Sequence, residues 1–212
     1  MSNKAYFVSG IGTEVGKTVA SAFLQVALDA DYWKPVQAGD LDFGDTDRVR
    51  SWTGLPDTYY HPERHRLHTP ASPHYAARLD GVDISLNDFT LPTTERTLLV
   101  EGAGGLLVPL NERDCMIDLA AHLDLPVILV VRHYLGSINH TLLSLEALRS
   151  RNMACAGLIL SGQPNEESTR IIRSLTGVRV LASLPELPKV EFAAMHRMVA
   201  MQVDEAFHEA LD

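Results

Sequence analysis

Cysteine, positive charge and long apolar runs are all scarce in this chain. Cys115 and Cys155 are its only cysteines; they lack metal-ligand spacing and cannot frame a disulfide scaffold, so both are expected as reduced structural residues. Lysine and arginine number 18 against 27 aspartates and glutamates, a formal charge of -9. Such a mean field repels polyanions, which excludes a broad grip on nucleic acid or an anionic membrane and leaves room for one small phosphate site. No apolar run approaches the ~20 residues that cross a bilayer. Met1-Ser2-Asn3-Lys4 leads into a strand-like segment with no secretory pattern, so a cytoplasmic protein is expected.

Apolar residues make up 46% of the chain and charged residues 21%, enough apolar surface to order a core. The 212 residues suit one domain spanning residues 1–212. Buried strands are expected at 5–9, 32–37, 97–100, 127–131, 156–160 and 178–182, with Pro35 ending regular pairing near Lys34. Helices are expected at 19–28, 47–52, 137–148, 166–175 and 192–211, the last as one amphipathic element, and residues 39–73 read as loop-rich. This alternation predicts an α/β fold, a mostly parallel, doubly wound sheet with helices on both faces.

Gly10-Ile11-Gly12-Thr13-Glu14-Val15-Gly16-Lys17-Thr18 lies between the first strand and the first helix. Glycines let a backbone turn its N–H groups toward an anion, and a helix start adds unpaired donors. Lys17 supplies positive charge to a phosphoryl group and Thr18 a hydroxyl for magnesium. The loop is one residue longer than G-x-x-x-x-G-K-[ST], because Ile11 stands where the first glycine belongs. A nucleoside triphosphate site follows, with Gly12, Thr13, Glu14, Val15, Gly16, Lys17 and Thr18 as its cradle.

Two acids and a second lysine narrow the chemistry. Glu101, ending the strand at 97–100, and Asp47, ahead of a short helix, are candidate magnesium ligands; their alternative roles are capping a glycine turn and capping the helix. Lys34 ends a short strand that points into the same crevice, the alternative being a solvent lysine beside a turn. Two lysines at one phosphoryl centre suit transfer onto an acidic acceptor.

Thr13-Glu14-Val15-Gly16-Lys17-Thr18, Lys34-Pro35-Val36, Thr46-Asp47, Pro70-Ala71-Ser72-Pro73-His74, Val100-Glu101-Gly102-Ala103-Gly104-Gly105 and Leu135-Gly136-Ser137-Ile138-Asn139-His140 occur in that order. In these segments the chain closely resembles the dethiobiotin synthetases, P-loop enzymes of biotin synthesis. The resemblance implies a homodimeric ligase that converts 7,8-diaminopelargonate, CO2 and ATP to dethiobiotin, ADP and phosphate through a carbamate and a carbamoyl-phosphate mixed anhydride. It implies Mg2+ on Thr18, Asp47 and Glu101, and Lys17 and Lys34 on the phosphates and the developing acyl phosphate, with Thr13 near the reacting diamine. Gly102, Gly104 and Gly105 would approach substrate through a backbone turn. Gly136, Ser137, Ile138 and Asn139 would hold the distal carboxylate across the dimer interface, a task that suits helix N–H groups.

Ser161 and Pro185 fall where the family reads the nucleotide base. Serine cannot bond in both directions as an amide does, so looser base selection is expected. Ala38 replaces a common substrate-facing hydroxyl. His61, His65, His68 and His74 match no strong metal spacing and are expected in solvent or packing roles. Two other functions use the same loop: another small-molecule kinase or ligase, and a nucleotide-switched ATPase of the partitioning or metal-delivery type.

Overall fold

The computed structural model describes residues 4–187 and 189–211. Seven strands form one parallel sheet: β1 (Ala5–Gly10), β2 (Asp31–Trp33), β4 (Tyr60–His61), β6 (Leu98–Gly105), β7 (Val127–Arg132), β8 (Cys155–Ser161) and β9 (Val180–Leu184), in the order β4-β2-β6-β1-β7-β8-β9. β3 (Val36–Ala38) and β5 (His65–Leu67) pair separately as a parallel ribbon. Phe7 and Val8 of β1, Leu99 and Val100 of β6 and Val127 to Val131 of β7 are all fully buried, as strands covered on both faces require. Helices α1 (Lys17–Leu28), α2 (Asp45–Thr53) and α7 (Phe192–Gln202) pack together, as do α5 (Ser137–Arg149) and α6 (Glu166–Thr176). Because all seven strands run one way, β1, β2, β6, β7 and β8 end at one edge of the sheet, and the turns there build the site.

Four local expectations change. The strand at 32–37 is two strands in different sheets. Pro35 has no N–H to continue the ladder, and its carbonyl accepts from Arg64 and His65 N–H instead. Glu101 and its glycines continue β6, in place of a turn. Gly102 lacks a side chain because a Cβ would stand 2.7 Å from the Phe7 ring, so these glycines serve close packing. The helix expected over 192–211 breaks after α7, since Val203 is extended and Asp204 caps a new helix, α8 (Glu205–Glu209), by accepting from Phe207 N–H at 2.9 Å. Residues 39–73 hold β4 and β5, and they lead into a further helix, α3 (Pro73–Asp80), with Ser72 as N-cap and proline at its first position. α4 (Met116–His122), also unexpected, is closed by the Asp118 carboxylate accepting from Cys115 N–H at 2.8 Å.

Candidate active site

The phosphate loop is shaped by contacts that its sequence half conceals. A Cβ on Gly10 would lie 2.4 Å from Val15 and 2.9 Å from the Gly12 carbonyl; glycine is needed there so that the longer loop can fold back on itself. Gly16, at φ 90°, turns the chain into α1 and puts Lys17 and Thr18 in its first turn. Lys17 is nearly buried, with the Gly12 carbonyl at 3.4 Å from its ammonium. Burial, with Lys34 adding to it and Glu101 and Asp45 opposing, lowers its pKa to about 8.

A crevice of about 740 Å³ opens beside this loop, lined by Thr13, Glu14, Gly16, Lys17, Thr18, Lys34, Asp45, Glu101 and Gly104 among others. Its floor is one buried polar network. The Lys34 ammonium donates to Glu101 Oε1 at 3.0 Å and to the Gly102 carbonyl at 3.2 Å, and pairs with Asp45 Oδ2 at 2.8 Å. Thr18 Oγ1 donates to the same Glu101 Oε1 at 3.2 Å. Ser21 Oγ and the Tyr32 hydroxyl donate to Oε2 at 2.7 and 3.0 Å. Burial alone would lower the Lys34 pKa; the two carboxylates outweigh it and hold the ammonium above the ordinary lysine value. For Asp45, burial works against ionisation, but Lys34, Arg48 and the Thr18 hydroxyl keep its carboxyl below the usual range. Burial and Glu101 raise the Tyr32 phenol well above its ordinary value.

The carboxylate that reaches the crevice ahead of the second helix is that of Asp45, and not Asp47. Helix α2 begins two residues earlier than expected, so Asp47 sits at its third position. There Asp47 Oδ2 accepts from Gly44 N–H at 3.0 Å and Oδ1 pairs with Arg50 at 3.1 Å, which is the capping role. Asp45, Tyr32 and Ser21 are members of the network that sequence spacing alone did not single out. The signal for Asp45 lay in the Asp-Thr-Asp run after Gly44, which allows either acid to start the helix.

Gly12 and Val15 line a second groove of about 540 Å³ on the other side of the loop, with Arg132, His133, Tyr134 and His140. Gly136, Ser137, Ile138 and Asn139 lie at the start of α5 and line neither space, although Tyr134 and His140 flank them. The Ser161 hydroxyl donates to the Val15 carbonyl at 2.7 Å, so it braces the loop. Pro185 is exposed after β9. Gly102 meets the site through its carbonyl, while Gly105 pairs with Gly10 in the sheet. Ala38 lines the crevice, and the neighbouring Gln37 amide is already bonded to the Gly39 carbonyl and Asp45 N–H. The four histidines disperse: His61 faces Asp31, His65 Asp88, His68 Asp80 and His74 Ser72. Among the described residues, no group of three or more His, Cys, Asp or Glu is placed to hold a metal ion, and no helix is long and apolar enough to cross a membrane.

A family profile described as an AAA domain matches residues 4–194. Solved structures similar to this chain include a plasmid partition protein of Borrelia burgdorferi bound to AMPPNP, with a TM-score of 0.53 at 11% identity, covering 96% of this chain and 100% of that one. The septum site-determining protein MinD of Pyrococcus horikoshii, complexed with Mg-ADP, has a TM-score of 0.51 at 15% identity, covering 98% and 94%. At such identities the likeness carries the nucleotide-binding fold alone. Sequence relatives are far nearer. The ATP-dependent dethiobiotin synthetase of Christiangramia forsetii is 46% identical over 208 residues, 98% of each chain. That of Afipia carboxidovorans is 54% identical over 181 residues, 85% of this chain and 86% of the relative. With the phosphate loop, the Lys34–Glu101 pair and full-length similarity in agreement, the chain belongs to the ATP-dependent dethiobiotin synthetase family.

Proposed function

We propose that this chain uses ATP to join CO2 to 7,8-diaminopelargonate and close the cyclic urea of dethiobiotin, releasing ADP and phosphate. The observation that carries the reading is that Thr18, from the phosphate-loop helix, and Lys34, from the junction between β2 and β3, meet on one oxygen of Glu101. A triphosphate-side group and an acceptor-side cation thereby share a centre.

In this reading one amine of the substrate captures CO2 as a carbamate, and a carbamate oxygen attacks the γ-phosphoryl group of ATP. The second amine then attacks the carbonyl carbon, the C–O bond to phosphate breaks, and the five-membered ring closes. Holding both amines beside one carbonyl gives the intramolecular advantage. Lys17 and Lys34 stabilise the negative charge that moves between carbamate, phosphoryl group and leaving phosphate. Thr13, on the crevice wall near Gly104, contacts the diamine. The buried floor keeps water from the anhydride. No side chain needs to act as a covalent nucleophile.

Magnesium fits the donors present. Asp45, Glu101 and Thr18 offer oxygen only, and Mg2+ takes one or two carboxylates together with phosphate oxygens and water. These three residues would hold it with the nucleotide, where it offsets phosphate charge. We further propose a cytoplasmic homodimer in which residues 136–139 of one protomer receive the carboxylate of the substrate bound to its partner. Fully exposed Leu135, with exposed Tyr134 and Leu143, supplies apolar surface beside that helix start.

Incubation with magnesium, ATP, isotope-labelled bicarbonate and 7,8-diaminopelargonate tests the reading. Labelled dethiobiotin is the expected product. ATP cleavage by folded protein without a labelled cyclic urea would favour a kinase or ligase with another acceptor.

A further inference from the structure

The two oxygens of Glu101 are satisfied in a matched way. Oε1, whose two donors line the crevice, receives Thr18 from α1 and Lys34, the residue just after β2. Oε2 receives Ser21 from α1 and Tyr32 from β2. Thr18 and Ser21 are three apart on one helix face, and Lys34 follows Tyr32 by two residues, just past the end of β2. Helix α1 therefore sends one donor to each oxygen, and so does the segment made of β2 and the residue after it. The reaction as proposed uses neither the Ser21 nor the Tyr32 hydroxyl, and both residues are fully buried. They do not line the crevice.

A terminal carboxylate torsion is broad when unconstrained. Four donors, two from α1 and two from β2 and the residue after it, narrow it, because partial rotation breaks bonds at both oxygens. We propose that Tyr32 and Ser21 are positioning residues: they hold Oε2 so that Oε1 is presented to the magnesium–nucleotide complex, and they set metal affinity rather than diamine affinity. This rests on reading the crevice as a magnesium–ATP site. Partners of this kind behind a ligating carboxylate fix its direction and its basicity.

The test is Mn2+ binding in the presence of AMPPNP, followed by the electron paramagnetic resonance signal of free Mn2+, in the parent, Tyr32→Phe and Ser21→Ala proteins. Tyr32→Phe keeps the ring and its edge contact with Tyr60. Each variant is expected to weaken Mn2+ binding about 10-fold. Metal-free AMPPNP binding and the KM for the diamine should stay within about twofold of the parent, a split that general damage to the site would not give. Mn2+ dissociation constants unchanged in folded variants would overturn the inference. So would metal and metal-free nucleotide binding falling together, or failure of both variants to fold, which would make the hydroxyls supports of the core alone. A parent that forms no cyclic urea defeats the functional reading; a parent that forms it, with variants binding Mn2+ normally, defeats only this inference.

Discussion

On the side of the phosphate loop facing β2 and β6, Lys34, Asp45, Glu101, Ser21 and Tyr32 share a buried network in which each carboxylate oxygen of Glu101 has two donors. On the side facing β8 and β9, Ser161 bonds the Val15 carbonyl, and Arg132 reaches the Glu14 carbonyl and Glu186. Arg132 and Glu186 are 44% and 56% exposed, so water and salt screen that pair. Charge migrates only on the first side during the proposed reaction, and fixed dipoles in a dry setting stabilise migrating charge best. In the proposed reaction the contrast puts selectivity on the acceptor, with the nucleotide held by its phosphates.

The largest expected effect of breaking the contrast comes from Lys34→Ala. At saturating substrates turnover should fall by about 10³-fold. The unpaired Glu101 and Asp45 should also cost roughly 3 kcal/mol of stability in denaturant titration. Near-normal turnover would remove Lys34 from the reaction.

Second is the exchange of acids. Asp45→Asn should lower metal-dependent turnover about 10- to 100-fold. Asp47→Asn should leave turnover near the parent and lose about 1 kcal/mol through the weakened helix start. The reverse ranking in steady-state assays would restore Asp47 to the metal site.

Lys17 gives a pH signature with two opposite signs. Its folded pKa of about 8 lies below the unfolded value, so the unfolded chain binds more protons between pH 8 and about 10.5. Stability of the nucleotide-free protein should therefore receive a rising contribution from this group as pH climbs through that window. Affinity for ATP should fall over the same window, by about tenfold per pH unit above 8, as the free ammonium is lost. Lys17→Met should abolish both trends, raise the melting temperature at pH 7 and weaken nucleotide binding. Calorimetric binding and unfolding at stepped pH read both signs.

The smallest effects are expected on the loose side. Ser161→Ala should cost about 1 kcal/mol of stability through the lost bond to Val15. ATP, GTP and CTP should support turnover within about tenfold of one another, because the Ser161 hydroxyl is already committed to the loop. A preference of 10⁴ for ATP in competition assays would place a built base-reading site on this side.

The sheet and the phosphate loop were legible because both are local patterns: continuous branched strands, and glycines followed by Lys17 and Thr18 at a helix start. Glu101 and Lys34 were legible as residues at the carboxyl side of neighbouring strands; Glu101 proves to lie within β6 and Lys34 just past β2, and the parallel sheet brings the two together. What escaped the sequence depended on neighbours distant along the chain. Asp45 and Asp47 are both acids at a helix start, and only the position of Gly44 as cap decides which points into the crevice. Tyr32 looked like bulk for the core, and its hydroxyl matters because β6 brings Glu101, two residues beyond its register partner Leu99, within reach at 3.0 Å. The glycines after Glu101 looked like a turn because a strand packed against Phe7 leaves the same signature.

The central claim is that a carbamate oxygen takes the γ-phosphoryl group where Lys34 and Glu101 meet the phosphate loop. With freshly dissolved 18O-labelled CO2, 7,8-diaminopelargonate and unlabelled ATP, mass spectrometry of the released phosphate decides it. One 18O per phosphate formed, in step with cyclic urea, is the predicted result; phosphate free of label alongside labelled urea would contradict it.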